Sequence, residues 1–238
     1  MSILLFDFLN AYPYQRLLAE AGYRFVVLAE PTAVVKAWTR GGVAAALLPG
    51  PAAAEASGYL MPWGIGSAGP VQSVLLVSGC PPTMWQVIET DPRSRASVVL
   101  LRWAMYKGLL PTRPLLSRAL TPYSARLVIG DEALRLRKAF PYVIDVGELL
   151  QKGGYSPVVY AVWWAASPKV RTRLLRLWHK RSFPTSWVHE AATRYGFPPE
   201  AVLEYWRGLR YYLGHRSVAW WMRLYRCFGD GASPTFAP

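Results

Sequence analysis

The sequence predicts an α/β clamshell, with two lobes, a ligand cleft between them and a helical C-terminal region. Three observations carry this. Short apolar runs alternate with helical segments through the first 70 residues and again from about 85 to 146, the pattern of a largely parallel sheet. Apolar stretches near positions 71 and 160 read as two crossings between the units. Beyond about 165 the strand signals cease and helical periodicity runs to Phe228. Residues 1–70 with 163–238 are expected to form lobe 1, and 71–162 lobe 2, within what 238 residues can supply.

In chain order, Ile3 to Leu9, Tyr23 to Ala29, Ala44 to Leu48 and Leu60 to Gly66 are apolar runs bounded by turn residues and read as strands. Pro31 to Thr39 and Pro51 to Ala56 read as helices, the first started by Pro31 and Thr32. Val71 to Ser78 is a buried strand, followed by strand Trp85 to Thr90, helix Ser94 to Tyr106, and strands Leu115 to Ala119 and Arg126 to Ile129. Helix Asp131 to Lys138, strand Tyr142 to Val146 and return strand Val158 to Trp164 complete the alternation. The tail reads as helices at Lys169 to Arg181, at Ser186 to Tyr195 with a Ser cap and a Gly196 stop, and from Pro199 through Tyr212.

Composition narrows the function classes. A 53% hydrophobic share with 17% charged residues excludes a disordered chain. The net charge of +13 suits nucleic acid, an anionic membrane surface or a small anionic substrate. From position 167 onward, 12 Lys or Arg stand against 4 Asp or Glu, so +8 of the surplus lies in the tail. Its aromatics, including Trp220, Trp221 and Tyr225, recur at helical spacing, which favours core over base stacking. The N-terminal run has no basic region before it, and no apolar stretch approaches the ~20 residues of a membrane span. A cytoplasmic protein with neither nucleic acid nor membrane as partner is expected. Cys80 and Cys227 have no metal-ligand spacing, and His179, His189 and His215 all lie in the tail, so neither a metal nor a cofactor is expected.

Candidate chemistry sits just after strands, where clefts of such folds bind ligands. Asn10, in Leu9-Asn10-Ala11-Tyr12-Pro13, can donate and accept at a cleft mouth or form a turn before Pro13. Gly64-Ile65-Gly66-Ser67-Ala68-Gly69-Pro70-Val71-Gln72-Ser73 lacks nucleotide-loop spacing; its glycines suit close approach to a ligand or a hinge, and Ser67 and Ser73 carry hydroxyls. Asp91-Pro92-Arg93-Ser94-Arg95-Ala96-Ser97 opens a helix, making either an anion site or a plain Ser cap. In Gly130-Asp131-Glu132, Asp131 suits a helix cap.

Taken in order, these motifs resemble the MqnA family, the chorismate dehydratases of the futalosine route to menaquinone. The resemblance rests on Phe8 to Pro13, Gly69 to Ser78, Ser94 to Val98, Leu127 to Leu134, Asp145 to Glu148 and Val159 to Trp163. It implies a periplasmic-binding-protein type II fold and the loss of water from chorismate to give 3-[(1-carboxyvinyl)oxy]benzoate, with the substrate's enolpyruvyl carboxylate taking the ring proton. By the same resemblance Asn10 and Ser73 are catalytic, and Ser94, Arg95, Ser97, Gly69, Gly130 and Asp131 bind substrate. The family usually has a hydroxyl where Ala96 stands, and an acid where Gly41-Gly42-Val43 is found here. The related dihydroxynaphthoate synthase carries a Gly-Pro-Thr-Tyr-Thr type run and a catalytic His where this chain has Ser94 to Val98. That enzyme and a non-catalytic small-anion-binding protein are the alternatives.

Overall fold

The computed structural model describes residues 2–90, 93–117, 121–178 and 183–229. Asp91, Pro92, the end of the expected strand at Ala119, and His179, Lys180 and Arg181 lie outside the described residues.

The chain begins with β1 (Ser2–Phe6), α1 (Tyr12–Glu20), β2 (Val26–Leu28), α2 (Pro31–Thr39), β3 (Val43–Pro49), α3 (Gly50–Glu55) and β4 (Tyr59–Ser67). It continues with β5 (Val74–Ser78), β6 (Val87–Glu89), α4 (Arg95–Tyr106), β7 (Leu115–Ser117), β8 (Ser124–Ile129), α5 (Gly130–Leu136), β9 (Tyr142–Asp145) and α6 (Val146–Lys152). It closes with β10 (Val158–Ala165), α7 (Pro168–Leu177), α8 (Thr185–Tyr195), α9 (Pro199–Gly208), β11 (Leu209–Tyr212) and α10 (His215–Phe228).

Among the described residues the strands form two sheets, ordered β11-β4-β10-β3-β1-β2 and β7-β6-β8-β5-β9. β1 runs parallel to β2 and β3, while β10 runs antiparallel to β3 and β4. Residues 68–73 and 146–157 carry the chain between the sheets. The whole of β10 lies in the first sheet, Val158 pairing with Ser67, so residues 158–162 leave the second unit to which the sequence division assigned them. β3 and β10 are almost uniformly apolar because helices cover both faces of a central strand.

Several local features depart from the sequence reading. The turn at Asn10 passes straight into α1, where Pro13 occupies a first-turn position that needs no N–H donor. The short α6 is capped by Asp145, whose carboxylate accepts from the Gly147 and Glu148 N–H groups. Ser186 does not cap α8; Pro184 holds that position and Ser186 lies in the first turn. The last predicted helix stops at Gly208, and Leu209–Tyr212 instead pairs with β4 as an edge strand. An open sheet edge offered the aromatic Leu-Arg-Tyr-Tyr segment a ladder, and that outweighed continuation of the helix.

The tail is packed into the body. Trp178, Trp187, Trp206 and Trp221 are fully buried. Trp221 Nε1 donates to the Pro157 carbonyl and Tyr225 Oη to that of Val159, so two of the three aromatics considered as base-stacking candidates are core residues. Trp220, half-exposed, stacks on Tyr155 with ring centroids 5.8 Å apart. α10 packs on both α3 and α4, and Arg135 of α5 donates to the Tyr195 carbonyl at the end of α8.

Candidate active site

A cavity of about 240 Å³ opens where loops after β1, β3, β6 and β8 converge. Phe6, Phe8, Asn10, Ile65 and Tyr160 line it from the first sheet, with Ser73, Ser94, Ser97 and Gly130 opposite. The apolar walls and few polar groups suit a small, partly apolar ligand.

Ser73 is placed by its predecessors. Val71 and Gln72 donate their N–H groups to the two carboxylate oxygens of Asp145, at 3.0 and 2.6 Å, and Gln72 takes a left-handed φ of 62°. A non-glycine residue there is strained. The fourfold clamp of backbone donors on Asp145 holds it, although burial raises that carboxyl above its ordinary range. The turn presents Ser73 buried at the cavity wall, where its Oγ accepts from Tyr205 Oη at 2.8 Å. Asn10 is held by its backbone, its carbonyl accepting from Tyr211 Oη at 3.0 Å. Its side-chain Oδ1 is buried with no hydrogen-bond partner.

On the opposite wall, Ser94 caps α4. Its Oγ accepts from the Ser97 N–H at 3.1 Å and donates to Ser97 Oγ at 2.7 Å. The first turn of a 12-residue helix, with Arg95, Ala96 and Ser97 on the cavity, therefore turns its positive end toward the ligand space. Arg95 reaches outward to Glu55, 3.7 Å away, and both side chains are largely exposed.

Two of the residues expected to bind substrate, Gly69 and Asp131, do not line the cavity. Gly69 lies against α6, where a Cβ would come 3.2 Å from Oε1 of the exposed Gln151 side chain. Gly64 and Gly66 likewise approach β10 backbone rather than a ligand. Gly130 does line the cavity, with φ 62° and the Phe8 ring at 3.0 Å from any Cβ, but its N–H is committed to the Ser73 carbonyl at 2.8 Å. Asp131 is not the cap of α5, since Ile129 holds that position without a side-chain bond. Instead Asp131 Oδ1 accepts from the Leu9 N–H at 3.1 Å, tying α5 to the loop that carries Asn10.

Burial raises the Asp131 carboxyl to about 6 from an ordinary 3.8, with the Leu9 N–H offsetting part of the effect. A carboxyl whose folded pKa is raised favours the folded state fully below pH 3.8, and that contribution is lost as pH rises through about 6. Between pH 4 and 7 the wild-type protein is expected to lose roughly 2–3 kcal/mol of stability relative to Asp131→Asn, which keeps the acceptor without the charge. Denaturant unfolding of both at the two pH values checks this; parallel losses would refute it.

The sequence reading missed four contributors. Thr32 and Lys36 of α2 and Tyr160 of β10 line the cavity, and Tyr205 backs Ser73. Tyr160 Oη lies 3.1 Å from Ser67 Oγ, and burial, chiefly, raises its phenol well above the usual range, so it stays neutral. Lys36, Arg93 and Arg95 are the cations of the lining, and among the described residues no carboxylate or histidine joins them. Arg93 also pairs with Glu132 at 2.8 Å. His189 and His215 are exposed elsewhere. The site can bind an anion and offer neutral donors, and its described residues include no side-chain general base of the usual kind.

A family model described as menaquinone biosynthesis matches residues 2–229. No curated protein matches the chain significantly. Among solved structures, a protein of Archaeoglobus fulgidus is similar at TM-score 0.65 and 13% identity, over 94% of each chain. The periplasmic aliphatic sulphonate binding protein of Escherichia coli gives 0.65 at 14% identity over 99% of this chain and 94% of that one. The alkanesulfonate-binding protein of Xanthomonas axonopodis pv. citri, bound to MOPS, gives 0.56 at 12% identity over 88% and 86%. The shared feature is the fold, an α/β fold of the periplasmic-binding-protein kind.

Proposed function

The chain belongs to the menaquinone-biosynthesis family, whose model spans nearly its whole length, and from that premise we propose that it is a chorismate dehydratase of the futalosine route. It eliminates water from chorismate and releases 3-[(1-carboxyvinyl)oxy]benzoate. The observation that carries this reading is a cavity lined by cations, neutral hydroxyls and the Asn10 side chain, without a histidine or carboxylate among its described lining residues.

Such a site suits a substrate that brings its own base. Chorismate carries two carboxylates. The ring carboxylate is conjugated to the carbon that loses its proton, so negative charge grows on it as the C–H bond breaks. In this reading the α4 N-terminus and Ser97 hold that carboxylate, where their donors strengthen as charge develops. The enolpyruvyl carboxylate removes the ring proton, the electron pair moves through the ring, and the neighbouring hydroxyl departs. Proton and hydroxide leave as water, and the aromatic ring that forms supplies the driving force. Asn10 and Ser73 orient the reacting groups, whose enforced proximity replaces a side-chain base. Lys36 and Arg93 draw in the dianion. No cofactor is required by this chemistry, and the reading carries with it a cytoplasmic location.

Incubating the purified protein with chorismate tests it, following product by absorbance and mass. The expected result is an aromatic product lighter than chorismate by one water, formed faster than the background. Binding without turnover would replace the proposal with a small-anion-binding role.

A further inference from the structure

The hydroxyl behind the cavity wall has a direction, and that direction assigns it a job. We propose that Tyr205 of α9 is a positioning residue that holds the Ser73 hydroxyl as a donor toward the ligand. The proposal rests on the dehydratase reading for its substrate and extends that site into the helical tail.

Tyr205 is buried and does not line the cavity, so it acts through another group. Its Oη donates to Ser73 Oγ at 2.8 Å. With that oxygen accepting, the serine proton is left to point away from Tyr205, and Ser73 faces the cavity. The Asn10 side chain neighbours the same phenol, and its Oδ1 is buried without a partner. A free donor at the cavity wall suits a ligand oxygen on which negative charge grows; chorismate's departing hydroxyl is such a group. Burial, first of all, raises the Tyr205 phenol far above its ordinary range, so the relay stays neutral and its polarity does not reverse near neutral pH.

The same stretch of chain steadies the other partner. Trp206 Nε1 donates to the Leu9 carbonyl at 2.9 Å, and Tyr211 Oη to that of Asn10. Residues 205–211 therefore hold both Asn10, after β1, and Ser73, before β5, two positions that the fold supplies from different segments. This gives the C-terminal helices a part in the site that their charge alone does not explain.

A double-mutant cycle on Tyr205→Phe and Ser73→Ala, read both in turnover and in chorismate affinity, tests the inference. Tyr205→Phe keeps the ring that packs and removes only the hydroxyl; its melting temperature reports folding. It is expected to lower kcat about 10- to 30-fold with KM changed less than about threefold, and to weaken affinity modestly. In the Ser73→Ala background the same change is expected to add less than about twofold to either loss. Wild-type kcat in Tyr205→Phe, a loss confined to KM, or full additivity with Ser73→Ala would overturn it. Should the wild-type protein bind chorismate without turning it over, the dehydratase reading fails while coupling in affinity still decides the role of Tyr205. Absence of chorismate binding by folded wild-type protein would overturn both.

Discussion

Asn10→Ala is expected to lower turnover by about 10²- to 10³-fold while leaving the melting temperature unchanged or raised. The two halves of this result come from one side chain. Asn10 Oδ1 is buried and unpartnered, and an orphaned buried acceptor costs roughly 1–3 kcal/mol in the empty protein. Deleting it removes that penalty. The loop itself is held from elsewhere, by Tyr211 on the Asn10 carbonyl, Trp206 on the Leu9 carbonyl and Asp131 on the Leu9 N–H. Turnover falls because Asn10 lines the cavity and, in the proposed reaction, orients the reacting groups, and loss of one preorganised polar contact is worth about this much. Turnover measured beside thermal unfolding checks both halves. A variant that loses activity only because it unfolds would refute the assignment, as would one that retains wild-type turnover.

Gly64→Ala is expected to destabilise the protein by more than about 3 kcal/mol and to lower its soluble yield sharply. Gly64 lies in β4 opposite Val162 of β10. A Cβ there would come 2.0 Å from the Ala161 carbonyl oxygen and 2.9 Å from Val162 Cα, both main-chain atoms in the middle of the first sheet. No rotamer change relieves such an overlap, so the strands must separate or shift register. Tyr14 Oη also donates to the Gly64 carbonyl at 2.7 Å, and a displaced strand loses that bond. Gly79→Ala is the matched control: nothing stands within 4 Å of its Cβ, and a change within about 0.5 kcal/mol is expected. Denaturant unfolding of the pair separates backbone approach from the general effect of replacing a glycine. Equal midpoints would show that β4 and β10 are free to yield.

The strand order along the sequence was legible because apolar runs such as Val158-Val159-Tyr160-Ala161-Val162-Trp163-Trp164 carry their burial in composition. The Ser94 cap was legible because a hydroxyl before a helical stretch satisfies local N–H groups, and the structure shows that bond. The stretch from Gly64 to Gly69 misled because glycine tolerates both a nearby ligand and a nearby strand, and only the pairing partner distinguishes them; here it was β10 and, for Gly69, α6. Asp131 misled in the same way. Its position at the start of a helix suggested a cap, but its carboxylate turned to the Leu9 N–H, 122 residues away in the chain.

The sequence by itself determined most of the alternation of strands and helices, a largely helical tail, and the polar loops that follow strands at Asn10 and Ser94, because periodicity and turn chemistry act over a few residues. Only the tertiary structure decided which of those groups meet, and in which sense each hydroxyl points. Tyr205 sets the direction of Ser73 from 132 residues away, and β10 fills the space beside Gly64 from nearly a hundred. A hydrogen bond's polarity and a glycine's necessity are properties of a partner, and these partners are supplied by the fold.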